Sequence, residues 1–202
     1  RDNRYPEALA RFEKVDDKNL SKAERFELLF KKGYCYYQAK NNEKSRDCFR
    51  VVKDDSTNKY KSPALYYYSH IEYLNKNYET AYKGFISLKN DETFAPVVPY
   101  YISQILYIQR KFKEVIDYAT PLLDGASVNR VPEIARILAE SYYQLGQYER
   151  AMTYMEKFFQ TSKTVGRNDN YMMGYLYYRV SKYDDAAKYF TQVSNGNDSL
   201  SQ

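Results

Sequence analysis

Two stretches in the second half of the chain decide the fold: YERAMTYM at residues 148–155 and YDDAAKYF at residues 183–190. Each begins with a tyrosine, has an alanine three positions later, and places a large apolar residue four positions after that alanine. Related anchors, most of them small residues, recur along the chain at spacings of 34 to 37 residues. A period of this length predicts a stacked array of supersecondary units. The anchors are Ala8, Ser45, Ala81, Val115, Ala151 and Ala186.

Each period divides into two helical stretches joined by a few polar residues. Gly146 and Gln147 form one such joint, and joints this short force neighbouring helices to run antiparallel. Pro63, Pro96 and Pro132 lie where first helices are expected to begin, a position where proline loses no hydrogen bond. No strand-type alternation competes with this pattern, so the sequence predicts an all-α fold. The predicted helix pairs are residues 26–40 with 42–53, 63–75 with 78–89, 94–109 with 112–123, 132–145 with 148–161, and 167–180 with 183–194.

The composition agrees with an ordered helical protein. Hydrophobic residues make up 44% and charged residues 28% of the chain, near the values of ordinary globular domains. No apolar run approaches the roughly 20 residues that span a bilayer, so we expect no direct membrane insertion. The net charge of +5 is small for 202 residues, which argues against a nucleic-acid partner. Tyrosine is the outlier, with 25 copies, and it suits both helix seams and exposed recognition surfaces.

These repeats resemble the tetratricopeptide repeat family, whose unit is a helix–turn–helix of about 34 residues. The resemblance covers nearly the whole chain and implies a right-handed α-solenoid of stacked antiparallel helix pairs. Small residues at positions eight and twenty of each unit let its two helices approach closely. Position twenty holds the anchors from Ser45 onward, among which Val115 departs from the family pattern. Position eight holds Gly33, Ser69, Ser103, Ala139 and Gly174.

The resemblance also divides the chain into repeats of one continuous solenoid. Residues 1–19 match the second helix of a truncated repeat, so we expect the chain to be a piece of a longer array. The third repeat is degenerate, and Pro121 should kink or end its second helix near Thr120. Residues 195–198 should form a turn before another first helix begins in 199–202. The full repeats are 20–59, 60–92, 93–128, 129–164 and 165–202, the last including the start of the next unit.

In this family, positions two, five, nine, twelve and thirteen of the first helices line a concave groove, and the candidate rows are five, nine and twelve. Their spacing puts them on one helical stripe, and position twelve is tyrosine in every unit. We therefore expect a tyrosine-lined groove that binds an extended peptide or a partner helix. Alternatively, the tyrosines fill the seam between first helices, most of all at position twelve. The groove candidates are Phe30, Tyr66, Tyr100, Arg136 and Tyr171 at five, Tyr34, His70, Gln104, Glu140 and Tyr175 at nine, and Tyr37, Tyr73, Tyr107, Tyr143 and Tyr178 at twelve.

Two further roles stay open beside the protein-interaction scaffold. A cell-envelope protein would stack its tyrosines on glycan or peptidoglycan, and a structural spacer would use only the length of the array. The abundance of tyrosine, lysine and asparagine resembles long tetratricopeptide proteins of anaerobic gut-type bacteria, several of which reside in the cell envelope. The periplasm or envelope therefore stands beside the cytoplasm as a possible compartment, and the oligomeric state is open.

The residue pattern gives no support for catalysis. His70 is the single histidine, and no carboxylate or thiol stands at a spacing that indicates a catalytic site. Acidic pairs such as Asp54 and Asp55 are typical of helix caps and solvated turns rather than metal sites. Cys35 and Cys48 fall on the two helices of one pair, where we expect free thiols although a bridge is geometrically conceivable. We expect no enzymatic activity, no cofactor and no metal site.

Overall fold

The computed structural model describes residues 4–124 and 130–194. Across these residues the chain forms eleven α-helices, one short 3₁₀ turn at Asp17–Asn19 and no strand, so the predicted all-α class is confirmed. The turn and the next helix predicted at 195–202 lie outside the described residues. The helices are α1 (Tyr5–Phe12), α2 (Lys22–Gln38), α3 (Asn42–Val52), α4 (Lys61–Leu74), α5 (Tyr78–Ser87), α6 (Val98–Ile108), α7 (Phe112–Asp124), α8 (Val131–Gln144), α9 (Tyr148–Thr161), α10 (Arg167–Arg179) and α11 (Tyr183–Val193).

The chain divides into two compact units, Arg1–Val98 and Pro99–Gln202. In the first unit each helix from α1 to α4 packs against the helix that follows it. In the second unit the same holds for each helix from α7 to α10. Helices that contact their sequence neighbours in this way form stacked pairs, which is the packing that the period predicts.

Small residues bring the two helices of a pair into close contact, as their spacing predicts. A Cβ added to Gly33 would lie 2.9 Å from the Phe49 ring and 3.0 Å from the Cβ of Cys48. On the facing helix, buried Ser45 donates a hydrogen bond of 2.8 Å to the Gly33 carbonyl. Gly174 is in the same situation, because its Cβ would lie 2.9 Å from the Phe190 ring. Any side chain at these glycines would therefore displace an aromatic ring.

Two positions after each first helix (α2, α4, α6, α8 and α10) stands a residue with left-handed backbone geometry. After α2 this residue is Lys40, whose φ is 59°. The amide of the next residue, Asn41, donates to the Tyr36 carbonyl at 2.9 Å and closes the helix end, which is the Schellman arrangement. The same bond recurs after each of the other first helices. The equivalent residues are Lys76, Arg110, Gly146 and Ser181.

Two predicted helix starts were wrong, and one expected helix end is not found. Pro121, expected to kink or end α7 near Thr120, does not end it there, since the helix continues to Asp124; proline in a last turn removes only one main-chain bond. The first helix of the third pair begins at Val98 rather than at residue 94, because Pro96 biases the residue before it away from helical geometry. Helix α2 begins four residues earlier than predicted, at Lys22.

The early start of α2 has a clear cause in its capping residues. Ser21 accepts a hydrogen bond from the amide of Glu24, and the Glu24 carboxylate accepts one from the amide of Ser21 at 2.9 Å. This reciprocal capping box satisfies two amides that otherwise lack partners at a helix start. Apolar periodicity alone does not reveal it, because the first turn of α2 is exposed.

Candidate functional site

Tyrosines at position twelve lie at the elbows of the helix pairs. In the first unit, Tyr73 contacts Tyr78, the first residue of the second helix, with ring centroids 5.9 Å apart. In the second unit, Tyr143 contacts Tyr148 in the same edge-to-face geometry at 6.0 Å. Two further pairs, Tyr107 with Phe112 at 5.5 Å and Tyr178 with Tyr183 at 5.7 Å, repeat it. In these four helix pairs the ring contact holds the two helices together at their elbow. Each such ring pair contributes about 0.5–1.5 kcal/mol.

The first pair is the exception because Asn42 stands where the others have an aromatic residue. Tyr37 turns instead toward α4, where its ring lies 5.0 Å from that of Tyr67. Its hydroxyl is hydrogen-bonded to Nδ1 of His70 at 2.9 Å. Two of the predicted site residues, Tyr37 and His70, are thus brought together between successive first helices of the first unit.

An aromatic cluster surrounds Tyr67 in the first unit. The Tyr67 ring stacks on Phe49 at 5.4 Å and also contacts Tyr34 at 5.4 Å and Phe30 at 6.4 Å. Phe30 stacks in turn on Tyr60 at 4.8 Å. Burial raises the pKa of Tyr67 to about 12, because the phenolate would lose its hydration there. We call these rings, Phe30, Tyr34, Tyr37, Phe49, Tyr60 and Tyr67, the first-unit cluster.

Tyr66 also packs against its own unit. Its ring stacks on Phe94 at 4.7 Å and contacts Phe85 at 6.1 Å. On the same helix it lies 6.4 Å from His70, which is itself 6.4 Å from Tyr73. All six predicted site residues of the first unit are therefore half-buried in ring contacts.

The predicted site residues of α8 form a polar network in the second unit. Nε of Arg136 donates to the Glu140 carboxylate at 3.1 Å and lies 3.1 Å from Oδ1 of Asp169 on α10. Within the described chain, Oδ1 of the buried Asp169 has this ion pair but no hydrogen bond, whereas Oδ2 accepts a hydrogen bond of 2.8 Å from the amide of Gly166. Burial raises the pKa of Glu140, although Arg136 and the Tyr107 hydroxyl oppose the shift. This network joins α8 to α10 through Nε of Arg136, whose side chain remains 43% exposed.

Tyr100 and Gln104, the remaining pair on α6, interact mainly with polar groups. The Arg130 guanidinium lies 4.5 Å from the centroid of the Tyr100 ring, a cation–π contact. The Gln104 amide donates to the Tyr100 hydroxyl at 3.4 Å. Tyr100 therefore has one ring face covered by a side chain of its own unit.

The last two helix pairs carry a chain of touching tyrosines that is half-buried at its start and exposed at its end. Tyr175 lies between Tyr143, at 5.7 Å, and Tyr178, at 6.4 Å. Beyond these, Tyr148 contacts Tyr143 and Tyr183 contacts Tyr178, as described above. The fraction of side-chain area exposed is 53% for Tyr178 and 60% for Tyr183. Together with Arg179, these five tyrosines form what we call the tyrosine patch: Tyr143, Tyr148, Tyr175, Tyr178, Arg179 and Tyr183.

Arg179 is held against the rings of the patch. Its guanidinium carbon lies 3.9 Å from the centroid of the Tyr148 ring and 5.8 Å from that of Tyr175. Nη1 donates a hydrogen bond of 3.1 Å to the Tyr175 hydroxyl, and that bond raises the pKa of the guanidinium. The cation is therefore permanent and oriented. Close by, Tyr171 is 39% exposed and contacts Phe190 at 5.9 Å.

Sequence reasoning missed four residues that shape these surfaces. Tyr67 lies at position six of its repeat, outside the three rows predicted to line the groove. Tyr148 and Tyr183 begin second helices, where the repeat pattern predicts only helix packing. Arg179 lies at position thirteen, a position that lines the groove in related repeats. Its position next to Tyr178 in the sequence is the feature from which its place in the groove could have been predicted.

The described ranges hold two buried free thiols and no cluster of metal-ligating side chains. Cys35 and Cys48 are both buried and unbridged, and burial raises the pKa of both thiols. Within residues 4–124 and 130–194, no three histidine, cysteine or acidic side chains stand close enough to hold a metal ion. Over the same residues, no helix combines the length and apolarity needed to cross a bilayer.

Family models support the resemblance that the sequence suggested. Two models described as tetratricopeptide repeat match the chain, one at residues 1–59 and one at residues 137–161. No curated protein sequence matches it. The matched segments include α1 to α3 of the first unit and most of the α8–α9 pair of the second.

Solved structures share the fold at low sequence identity. PilF of Pseudomonas aeruginosa superposes with a TM-score of 0.73 at 19% identity, covering 98% of this chain and 87% of that one. The C-terminal part of a repeat-containing protein from Cytophaga hutchinsonii gives 0.72 at 18%, covering 94% and 72%. MamA of Desulfovibrio magneticus gives 0.71 at 14%, covering 86% and 95%. The helix-pair architecture is therefore that of tetratricopeptide solenoids.

Proposed function

We propose that this chain, which matches tetratricopeptide repeat models at residues 1–59 and 137–161, is a protein–protein interaction scaffold whose binding surface includes the tyrosine patch. The occupant is an extended peptide or a partner helix, which contacts the exposed rings of α10 and the start of α11. The observation that carries this proposal is the exposure of Tyr178 and Tyr183, each packed on the other yet more than half exposed.

The physical argument concerns what such rings offer a partner. Tyrosine and arginine are the side chains that most often dominate binding energy at protein interfaces. Rings already fixed by neighbouring rings lose little conformational entropy when a partner covers them. In the patch, Tyr175 and Arg179 are fixed in this way by contacts at 5.7 Å and 3.9 Å. The rings of the first-unit cluster are fixed in the same way, but none of them is exposed, so they offer a partner less contact area.

A comparison of two immobilised baits tests the proposal. Wild-type chain and a Tyr178→Ser, Tyr183→Ser variant are exposed to the same cell fractions, and the captured proteins are quantified by mass spectrometry. We expect the variant to lose at least one protein that the wild type retains. Both positions are exposed, so the helicity and melting temperature should stay near wild type.

A matched control removes an exposed apolar side chain elsewhere. Val51 on α3 is 50% exposed, so a Val51→Ser bait should capture the same proteins as wild type. Equal capture by all three baits would show the proposal to be wrong. Retention of polysaccharide rather than protein would instead favour an envelope glycan as the ligand.

A further inference from the structure

Arg179 combines a fixed position with unused hydrogen-bonding capacity. A guanidinium has five N–H donors, and the one hydrogen bond found for Arg179 within the described residues goes to the Tyr175 hydroxyl. Its guanidinium carbon lies over the Tyr148 ring, 3.9 Å from the centroid. Stacking on a ring occupies the face of a guanidinium and leaves its edge available for a planar acceptor.

The charge of Arg179 is also unbalanced locally. No carboxylate of the described chain lies within 4.0 Å of its nitrogens. The nearby acid Asp185 is already paired, at 2.9 Å, with Lys188. Lys182, at the same elbow, is exposed and lines one surface concavity with Asp184 and Asp185. Its charge is offset there by these two acids, so Arg179 is the cation of the patch without a neighbouring carboxylate among the described residues.

We infer that the segment bound at the tyrosine patch is an acidic peptide, and that Arg179 binds one of its side-chain carboxylates through the edge of the guanidinium. This inference rests on the proposed function and specifies the chemistry of its partner. The exposed rings of Tyr178 and Tyr183 would cover apolar side chains that flank the acid. Planar, two-point recognition of a carboxylate by arginine supplies orientation as well as energy.

The test uses a labelled peptide of alternating glutamate and leucine, acetylated and amidated at its ends, with fluorescence anisotropy as readout. A peptide with glutamine in place of glutamate is the ligand control. We expect the glutamate peptide to bind wild type and Arg179→Gln to weaken that binding about tenfold, the scale of one lost charged hydrogen bond. Arg179→Lys should recover part of the loss, since lysine keeps the charge but not the fork.

Arg150 provides a matched control on the protein. It is an exposed arginine on α9 that also stacks on a tyrosine, lying 5.9 Å from the centroid of the Tyr142 ring, but it is not part of the patch. Arg150→Gln removes the same charge, and we expect it to change the affinity by less than about twofold. Circular dichroism melts of all variants verify that each is folded.

Several outcomes would overturn the inference. Equal losses in Arg179→Gln and Arg150→Gln would mean that only net charge matters. Equal binding of the glutamine peptide, or no binding of the glutamate peptide by wild type, would exclude carboxylate recognition. If the Tyr178→Ser, Tyr183→Ser bait still loses a protein in any of these cases, the acidic-peptide inference alone is wrong and the proposed function stands.

Discussion

The first-unit cluster and the tyrosine patch use the same side chain in opposite ways. Around Tyr67, rings from successive first helices and from α3 close on one another, and every member is at least half-buried. In the second unit, Tyr178 and Tyr183 contact each other but keep more than half of their area exposed. Tyrosine thus acts as packing material in one region and as contact surface in the other, and the neighbours of each ring decide which.

The largest effect should come from emptying the first-unit cluster. Tyr67→Ala removes a ring that contacts four other rings of the cluster at 5.0–6.4 Å. We therefore expect the free energy of unfolding to fall by about 3 kcal/mol, on the scale of buried aromatic truncations. Urea denaturation followed by circular dichroism measures it. A loss near zero would mean that the cluster does not stabilise the unit.

Alkaline pH should act on the same ring. Burial raises the pKa of Tyr67 from 10.0 to about 12, so between these values the unfolded chain releases a proton that the folded chain keeps. The stabilising contribution is complete below pH 10 and is lost as the pH rises toward 12. We expect Tyr67→Phe to lose less stability over this range than wild type, measured by urea denaturation at successive pH values. Identical pH profiles would contradict the burial of the hydroxyl.

A smaller effect on stability should distinguish two turns that share the left-handed geometry but hold different residues, one in each unit. Gly146 has a φ of 72° and Lys76 one of 62°. Gly146→Ala should destabilise the fold by about 1 kcal/mol, and Lys76→Gly should stabilise it by up to about 1 kcal/mol, because only glycine adopts this geometry without strain. Thermal melts of both variants measure the difference. Shifts of the same sign would contradict the assignment of left-handed turns.

The smallest effect on stability should come from the patch itself. Tyr178→Ala removes an exposed ring, so we expect the free energy of unfolding to change by less than about 1 kcal/mol. Binding of the proposed partner should fall in the same variant. Comparison with Tyr67→Ala in one denaturation series sharpens the contrast, since similar losses at both positions would show that Tyr178 is a packing residue too.

The sequence predicted the helix pairs because their determinants are local and repeat. Small residues such as Gly33 and Ser45 occupy fixed positions, and close helix contact follows from their size alone. The fate of each tyrosine ring could not be predicted in this way. It depends on the residue opposite, as Tyr37 shows: with Asn42 in place of an aromatic, its ring turns to Tyr67 and His70.

The position of a residue within its repeat therefore predicts which face of the helix it lies on, but not whether its side chain is exposed. Tyr66 and Tyr171 occupy the same position in their repeats, yet Tyr66 stacks on Phe94 while Tyr171 is exposed. The ring that covers Tyr66 comes from the turns before α6, a segment that periodicity assigned to the helix itself. Contacts made by irregular segments lie outside what a repeat pattern predicts.

The left-handed residues that end the first helices have a further consequence for the field around the molecule. Lys40, Lys76 and Arg110 are basic, and each lies where the carbonyl groups of a helix end concentrate partial negative charge. A cation there is stabilised by about 0.3–1 kcal/mol, which offsets part of the left-handed strain of about 1–2 kcal/mol. A basic residue at such a turn thus sets both the backbone geometry and the position of a charge. Replacing it with glycine would relieve backbone strain but would also remove a cation from the helix end.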